Sequence, residues 1–311
     1  MKIKVTKLIS VIITAYNRKE YVMNAIKSIK NADEIIVVKN FKDDTIDNQL
    51  VNEHKTKEIF CTNNNAGYFM AEGISNSSGD VICFLDDDDM FTENKLTTVS
   101  QIFSSNDIIF SYNSRYIINE KGDKVNEEIL ADKTIDSKNV RYLFRNRVYF
   151  NSSSMCIRRK VLEKYLESLY KIKRLVDNFF LLSAVSTQGK IRITSQKLTY
   201  YRFHSSSSRH ITRNLEEFVN NRVKYFDDAI HDNDIMMETF EGNAKYAAEC
   251  SKKMAEIQKC ILEGKRCKNF ILCDIYSAKT LTYTNLSSLV SLFLPNLPRK
   301  IEFNRYIQNT N

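Results

Sequence analysis

Apolar positions in the first hundred residues alternate between two textures. Residues 8–14 form a short β-branched run, the pattern of a strand buried on both faces. Asn17 follows as a helix start, and Tyr21, Val22, Ala25, Ile26 and Ile29 then recur at helical spacing. Residues 34–38 read as a second buried strand, 55–62 as a third, 68–75 as a helix and 80–85 as a fourth strand. This alternation predicts an α/β fold with a doubly wound, mostly parallel sheet. Strands are further expected over 108–119, 152–158 and 197–203, a turn at 119–122, and a charged, partly helical stretch over 132–147. Helices are expected over 160–170 and from Asp177 onward. After Arg213 apolar residues recur at three and four, which predicts an appendage of three or four helices. The expected division is 1–211 as one α/β domain and 212–311 as a helical C-terminal region.

In doubly wound sheets ligands bind beyond the carboxyl ends of the strands. Three polar clusters occupy those ends here: Thr14-Ala15-Tyr16-Asn17, Lys39-Asn40, and Asp86 to Asp89. Four adjacent carboxylates repel one another unless a cation compensates them. Mg²⁺ or Mn²⁺ suits such oxygen ligands, completed by water and substrate phosphates. Alternate residues of an extended segment point to one side, so Asp86 and Asp88 can address one ligand. The competing reading is a solvated acidic turn that caps a helix near Glu93.

Several motifs in order carry a resemblance. Ile9-Ser-Val-Ile-Ile-Thr-Ala-Tyr-Asn-Arg18, Glu34-Ile-Ile-Val-Val38, Gly79-Asp-Val-Ile-Cys-Phe-Leu-Asp-Asp-Asp-Asp89 and Asn94-Lys-Leu96 resemble family-2 glycosyltransferases. The resemblance extends over about residues 7 to 210. It implies a GT-A fold, a nucleotide-sugar donor, a divalent metal (Mn²⁺ or Mg²⁺) and inversion at the anomeric carbon. By the same resemblance Thr14, Tyr16 and Asn17 line the nucleotide site, Asp86 and Asp87 contact ribose and sugar, and Asp88 is a metal ligand. Asp177 matches the catalytic base, and Asn65 the family's Asn-x-Gly loop. His204 matches a residue near the metal, and Arg202 and Arg209 are phosphate partners. Lys39-Asn40 stands where the family usually has an acidic pair. Asn40 then reads the base edge, for which its amide offers both an acceptor and donors, and Lys39 meets a phosphate. A UDP-sugar is favoured over GDP- or dTDP-sugars, and the acceptor is a glycan or glycolipid.

Composition changes this picture little. Of the net charge of +8, the first 211 residues hold 32 basic against 25 acidic side chains, and the last 100 hold 14 against 13. The excess thus travels with the expected catalytic part. The cluster Arg141, Arg145, Arg147, Arg158, Arg159 and Lys160 comes with no nucleic-acid recognition motif, so no nucleic-acid partner is expected. Seven cysteines without metal-finger spacing read as buried free thiols of a reducing compartment. The chain opens Met1-Lys2-Ile3-Lys4 with no leader pattern and contains no apolar run long enough to span a bilayer. A cytoplasmic protein is expected, with peripheral membrane contact through 286–300 weighed equally against packing of that apolar stretch. Two further functions stay open: a degenerate, non-catalytic nucleotide- or sugar-binding relative, and a nucleotidyltransferase.

Overall fold

A computed structural model of the chain describes residues 8–51, 56–203 and 212–310. It divides into two compact units. One runs to residue 139 and resumes over 146–203; the other joins 140–145 to the described residues from 212 on.

The first unit begins with β1 (Ile9–Ala15), α1 (Val22–Ser28), β2 (Glu34–Lys39), α2 (Asp44–Val51), β3 (Thr56–Phe60), α3 (Ala66–Ser75) and β4 (Val81–Asp86). It continues through β5 (Met90–Phe91), α4 (Lys95–Ile102), β6 (Ile108–Ile118), β7 (Lys124–Glu128) and β8 (Lys133–Asp136). After α5 (Val140–Arg145), which belongs to the second unit, come a 3₁₀ turn (Ser152–Ser154), β9 (Met155–Arg158), α6 (Arg159–Glu163), α7 (Leu166–Leu169), α8 (Val176–Val185) and β10 (Lys190–Arg202).

The strands join in the order β3-β2-β1-β4-β9-β6-β10-β5, with β7 beside β6 and β8 beside β10. β1 lies between parallel β2 and β4, so Val11, Ile12 and Ile13 are fully buried. Each such side chain contributes about 1.5–3 kcal/mol of burial. Register brings the strand ends level: Thr14 pairs with Val38 on one side and Asp86 on the other. The sheet is parallel over β3-β2-β1-β4 and again between β6 and β10. β9 runs antiparallel to both β4 and β6, which makes the whole a mixed sheet. β10 starts well before the expected residue 197, because Ile191 and Ile193 alternate inward between outward Lys190 and Arg192.

The cysteine expectation is corrected. Cys83 and Cys156 face each other across the β4–β9 register and are bonded, as are Cys250–Cys273 and Cys260–Cys267. Cys61 remains a buried free thiol. The first pair is 73 residues apart, and only strand pairing brings it together.

The second unit adds α9 (Leu215–Thr239), α10 (Gly242–Leu262), α11 (Ala278–Phe293) and α12 (Asn296–Thr310) to α5. The Asn214 side chain caps α9 by accepting from Glu216 N and Glu217 N, and Ser277 caps α11 by accepting from Thr280 N. α11 is inside out. Thr284, Ser288 and Ser291 are buried, while Leu286, Leu289 and Phe293 are exposed. The cause is the extended segment beside it: Ser288 Oγ donates to Asn269 O at 2.8 Å, Cys267 N donates to Ser291 Oγ at 2.9 Å, and Ile271 N donates to Asn285 Oδ1 at 2.9 Å. Polar residues on α11 therefore face a peptide backbone, and the leucines face outward. Among the described residues no helix is long and apolar enough to cross a membrane.

One close approach in the first unit bears on the site. Gly67 N donates to Ile172 O at 3.0 Å and Ala66 N to Lys173 O at 3.1 Å, which seats the start of α3 on the segment leading into α8. A Cβ on Gly67 would lie 2.6 Å from Ile172 O and also strike Leu169 O, and both are backbone atoms. Gly67→Ala is expected to destabilise the unit by about 1–3 kcal/mol, read as a lower urea midpoint. An unchanged midpoint would show that this seat is not tight.

Candidate functional site

The acidic run leaves β4 and turns back on itself, with Asp89 N donating to Asp86 O at 3.1 Å. The turn buries Asp87, Asp88 and Asp89 and leaves Asp86 half-buried. Each carboxylate has its own fixture. Asp86 Oδ1 accepts from Ser152 Oγ at 3.0 Å, and its backbone N donates to Ser153 Oγ at 3.0 Å. Asp87 is gripped by the Arg18 guanidinium through Nε at 3.0 Å and through Nη2. Arg18 Nη1 also meets Asp88 Oδ2 at 2.9 Å. Asp89 accepts from Arg202 N at 2.8 Å and from Asn151 Nδ2 at 3.2 Å.

Asn151 connects this turn to Asp177. Its backbone N donates to Asp177 Oδ2 at 3.1 Å while its amide holds Asp89. It adopts φ 85°, a left-handed conformation that costs a non-glycine residue about 1–3 kcal/mol and persists only where its surroundings enforce it. The enforcement is visible. Ser153 O accepts from Thr199 Oγ1 at 2.9 Å and from buried Lys95 Nζ at 3.4 Å. On the other side Phe150 O accepts from Arg115 Nη1 at 2.7 Å, and the guanidinium stacks 4.8 Å from the Phe150 ring. Asp177 stands in the first turn of α8, and its Oδ1 is buried without a hydrogen-bond partner, as is Asn151 Oδ1.

The nucleotide side is built on the neighbouring strand ends. Asn17, at φ 55°, turns the chain after β1 and forms a reciprocal pair with Asn40. Asn17 N donates to Asn40 Oδ1, and Asn40 Nδ2 to Asn17 Oδ1, each at 2.8 Å. Tyr16 is exposed, packs edge-on to Phe69 and donates to Asn64 Oδ1 at 3.0 Å. Thr14 lies half-buried beside Asp86, and Asn65 stands at the start of α3 in extended conformation without a side-chain capping bond.

Two expectations meet a different environment. Lys39 does not face a phosphate: it is fully buried, and its ammonium is shared by Asp47 at 2.7 Å, Glu58 at 3.0 Å and Phe41 O at 2.8 Å. Arg202 is also buried. It binds Asp88 O, Asn119 O and Glu120 O and lies over the Tyr21 ring, so it braces the acidic turn from behind. The basic cluster is dispersed: Arg158 binds Ile108 O and Phe103 O, Arg159 binds Ser77 and Glu163, and Arg141 pairs with Asp274. His204 and Arg209 lie outside the described residues. Arg18, Asn151, Ser152 and Ser153 were not anticipated. The polar run Asn151 to Ser154, set directly before apolar Met155 to Ile157, is the signal that marks them.

Asp86, Asp88 and Asp89 bring ligand oxygens within 4.8 Å of one another. Hard carboxylate oxygens on one turn fit Mg²⁺ or Mn²⁺. Crowding shows in the titration of the group. Burial, then Asp89 and Asp88, push Asp86 well above the usual carboxylate range. Burial and Asp88 push Asp89 up to about 7. Burial pushes Asp87 up to about 6 against the pull of Arg18, and Asp177 up to about 6 against Asn151 and Arg115. Burial lowers Lys95 to about 7.

A carboxylate whose folded pKa is raised holds a proton that the unfolded chain has already released, so stability falls as pH rises through that window. Lys95 adds a smaller opposing slope close to pH 7, which fades as pH falls and both states become charged. Stability in EDTA is therefore expected to increase from pH 7 to pH 5.5, measured as the urea midpoint. Asp89→Asn should flatten the increase. A midpoint that falls over that interval would contradict the crowded-carboxylate account.

The model of Glycosyl transferase family 2 matches residues 10–166, just over half of the chain. An uncharacterized glycosyltransferase of Nostoc sp. (strain PCC 7120) is 28% identical over 219 residues, 64% of this chain and 66% of that protein. An uncharacterized glycosyltransferase of Rickettsia conorii is 38% identical over 122 residues, 37% of this chain but 20% of its own length. The UDP-Glc:alpha-D-GlcNAc-diphosphoundecaprenol beta-1,3-glucosyltransferase WfaP of Escherichia coli is 33% identical over 122 residues, 36% of this chain and 47% of that one. Among solved structures, S. aureus TarS in complex with UDP-GlcNAc superposes with a TM-score of 0.56 at 13% identity, covering 95% of this chain and 92% of that one. That likeness is one of fold, and it is the GT-A-like architecture that the motifs imply. The chain belongs to glycosyl transferase family 2.

Proposed function

We propose that the chain is an inverting, metal-assisted glycosyltransferase, with residues 1–211 as its catalytic domain. It moves a sugar from a nucleoside-diphosphate donor to a saccharide or lipid-linked saccharide. The observation that carries this reading is Asn151, which ties the three-carboxylate turn to Asp177 through its side chain and its backbone. The parts needed for a leaving diphosphate and for an acceptor proton are thereby held at one place.

A divalent cation bound by Asp86, Asp88 and Asp89 would neutralise charge on the departing diphosphate. The chain's own residues do the rest. Asp177 Oδ2 is fixed by Asn151 N, and the unpartnered Oδ1 takes the proton from the acceptor hydroxyl. The acceptor oxygen forms its bond to the anomeric carbon as the carbon–phosphate oxygen bond breaks with its electron pair. A single displacement of this kind inverts the centre. Tyr16, Asn17 and Asn40 take the base, Thr14, Asn65, Asp86 and Asp87 the rest of the donor. Like the UDP-GlcNAc complex of TarS and the UDP-Glc-using WfaP, this chain is taken to use a UDP-sugar, and a diphosphate-linked lipid saccharide as acceptor is the WfaP-like choice.

The inside-out face of α11 supports peripheral contact with a membrane carrying such an acceptor. Phe270, Leu272, Leu286, Leu289 and Phe293 are exposed, and Lys265, Arg266, Lys268 and Lys300 are exposed in the same stretch. The protein would then act at a membrane surface; the three disulfides do not fit the reducing cytoplasm expected from the sequence.

Three outcomes test these readings. Asp177→Asn is expected to retain UDP binding and lose about 10²- to 10⁴-fold in turnover, assayed by UDP release from UDP-sugars with Mn²⁺; undiminished turnover removes Asp177 from the reaction. Binding of UDP by the wild type with no turnover on any donor would favour a non-catalytic relative, a reading that the mutually satisfied Asn17–Asn40 pair motivates. Leu272→Asp with Phe293→Asp should abolish pelleting with vesicles containing anionic lipid, and equal pelleting would end the membrane assignment.

A further inference from the structure

The acidic turn already carries a cation of its own. Arg18 grips both oxygens of Asp87, and its third nitrogen reaches Asp88 Oδ2 at 2.9 Å. Asp88 is also one of the three carboxylates whose oxygens converge within 4.8 Å. One carboxylate therefore faces two positions for positive charge. A guanidinium remains protonated at every accessible pH, so this charge cannot be titrated away. Placed beside a divalent ion it opposes that ion by simple repulsion, weakened by solvent because the Arg18 side chain is 23% exposed.

We infer that Arg18 is a positioning residue that keeps metal affinity low until the donor diphosphate arrives, so that metal and nucleotide load together. The inference rests on the reading of Asp86, Asp88 and Asp89 as a divalent-metal site, and not on turnover, sugar or acceptor. The grip on Asp87 tethers the guanidinium. Nη1, on the other side of the planar group, stays beside Asp88, where a phosphate oxygen can share it as a divalent ion takes up the Asp88 carboxylate. Diphosphate charge then offsets the repulsion, and each ligand strengthens the binding of the other. Such coupling is reciprocal. A metal bound tightly without nucleotide would stay behind when the product nucleotide leaves. The arrangement in Arg18 lets both depart.

Mn²⁺ binding followed by electron paramagnetic resonance, with and without UDP, tests this without any turnover. Arg18→Gln is expected to bind Mn²⁺ roughly three- to tenfold more tightly than wild type in the absence of UDP, the scale of an ion-pair contribution of about 1 kcal/mol. The gain in Mn²⁺ affinity on adding UDP should shrink in the same variant. Arg18→Lys, which keeps the charge and loses the fork, should stay within twofold of wild type. Equal or weaker Mn²⁺ binding by Arg18→Gln overturns the inference, as does undetectable Mn²⁺ binding by both proteins. Loss of Asp87's partner threatens the fold of Arg18→Gln, so a second measurement uses the wild type alone. The Nε–H resonance of ¹⁵N-labelled Arg18 should shift on titration with Mg²⁺ and UDP together, and an unmoved resonance would equally overturn the inference.

Discussion

Four carboxylates at the end of one strand are the constraint around which the first unit is arranged. Left to themselves they repel, and burial makes the repulsion worse. Every neighbouring element supplies something against it. The loop after β1 sends Arg18, β10 sends the backbone and guanidinium of Arg202, and the 3₁₀ turn sends two hydroxyls and an amide. These elements come from widely separated parts of the chain, so the turn is stable only when the whole sheet is formed.

The supports themselves need support. Asn151 holds a costly backbone conformation because Phe150 is pinned by Arg115 and Ser153 by Thr199 and Lys95. Lys95 gives up much of its proton affinity to lie there, and Arg115 spends its donors on Tyr112, Phe150 and Glu128. Buried polar groups of this kind destabilise a fold unless they are paired, and here most are paired, leaving Arg115 Nε, Asn151 Oδ1 and Asp177 Oδ1 buried without a partner. The geometry of the site is thus set by residues one step removed from it.

Much of this frame is legible in order along the chain. The β-branched runs of β1, β2 and β4, and the polar residues at their ends, are local signals, and parallel pairing follows from their alternation with helices. What is not legible is partnership over distance. Arg18 and Asp87 are 69 residues apart, and nothing near Arg18 hints at a carboxylate. Lys39 has the composition of a ligand contact, yet α2 and β3 deliver Asp47 and Glu58 to it and close it off. Arg202 follows a run of tyrosines and looks exposed, but it sits at the end of β10, directly behind the turn it braces. Asn151 acts through a backbone N–H, which any residue has, so its identity carries only half of its role.

The short helix α5 belongs to the second unit, although the chain on both sides of it belongs to the first. Its Val140, Leu143 and Phe144 are buried, and Arg141 and Arg145 both bind Asp274. The polypeptide therefore enters the helical unit, returns to the sheet, and enters it again. Units threaded in this way are not beads that can be exchanged or inherited one at a time. A sheet unit cut free of its tail would keep a helix whose apolar face has lost its cover, and a grafted tail would have to bring a complement to that face. A change to the surface of the helical unit that covers α5 therefore calls for a matching change within 140–145.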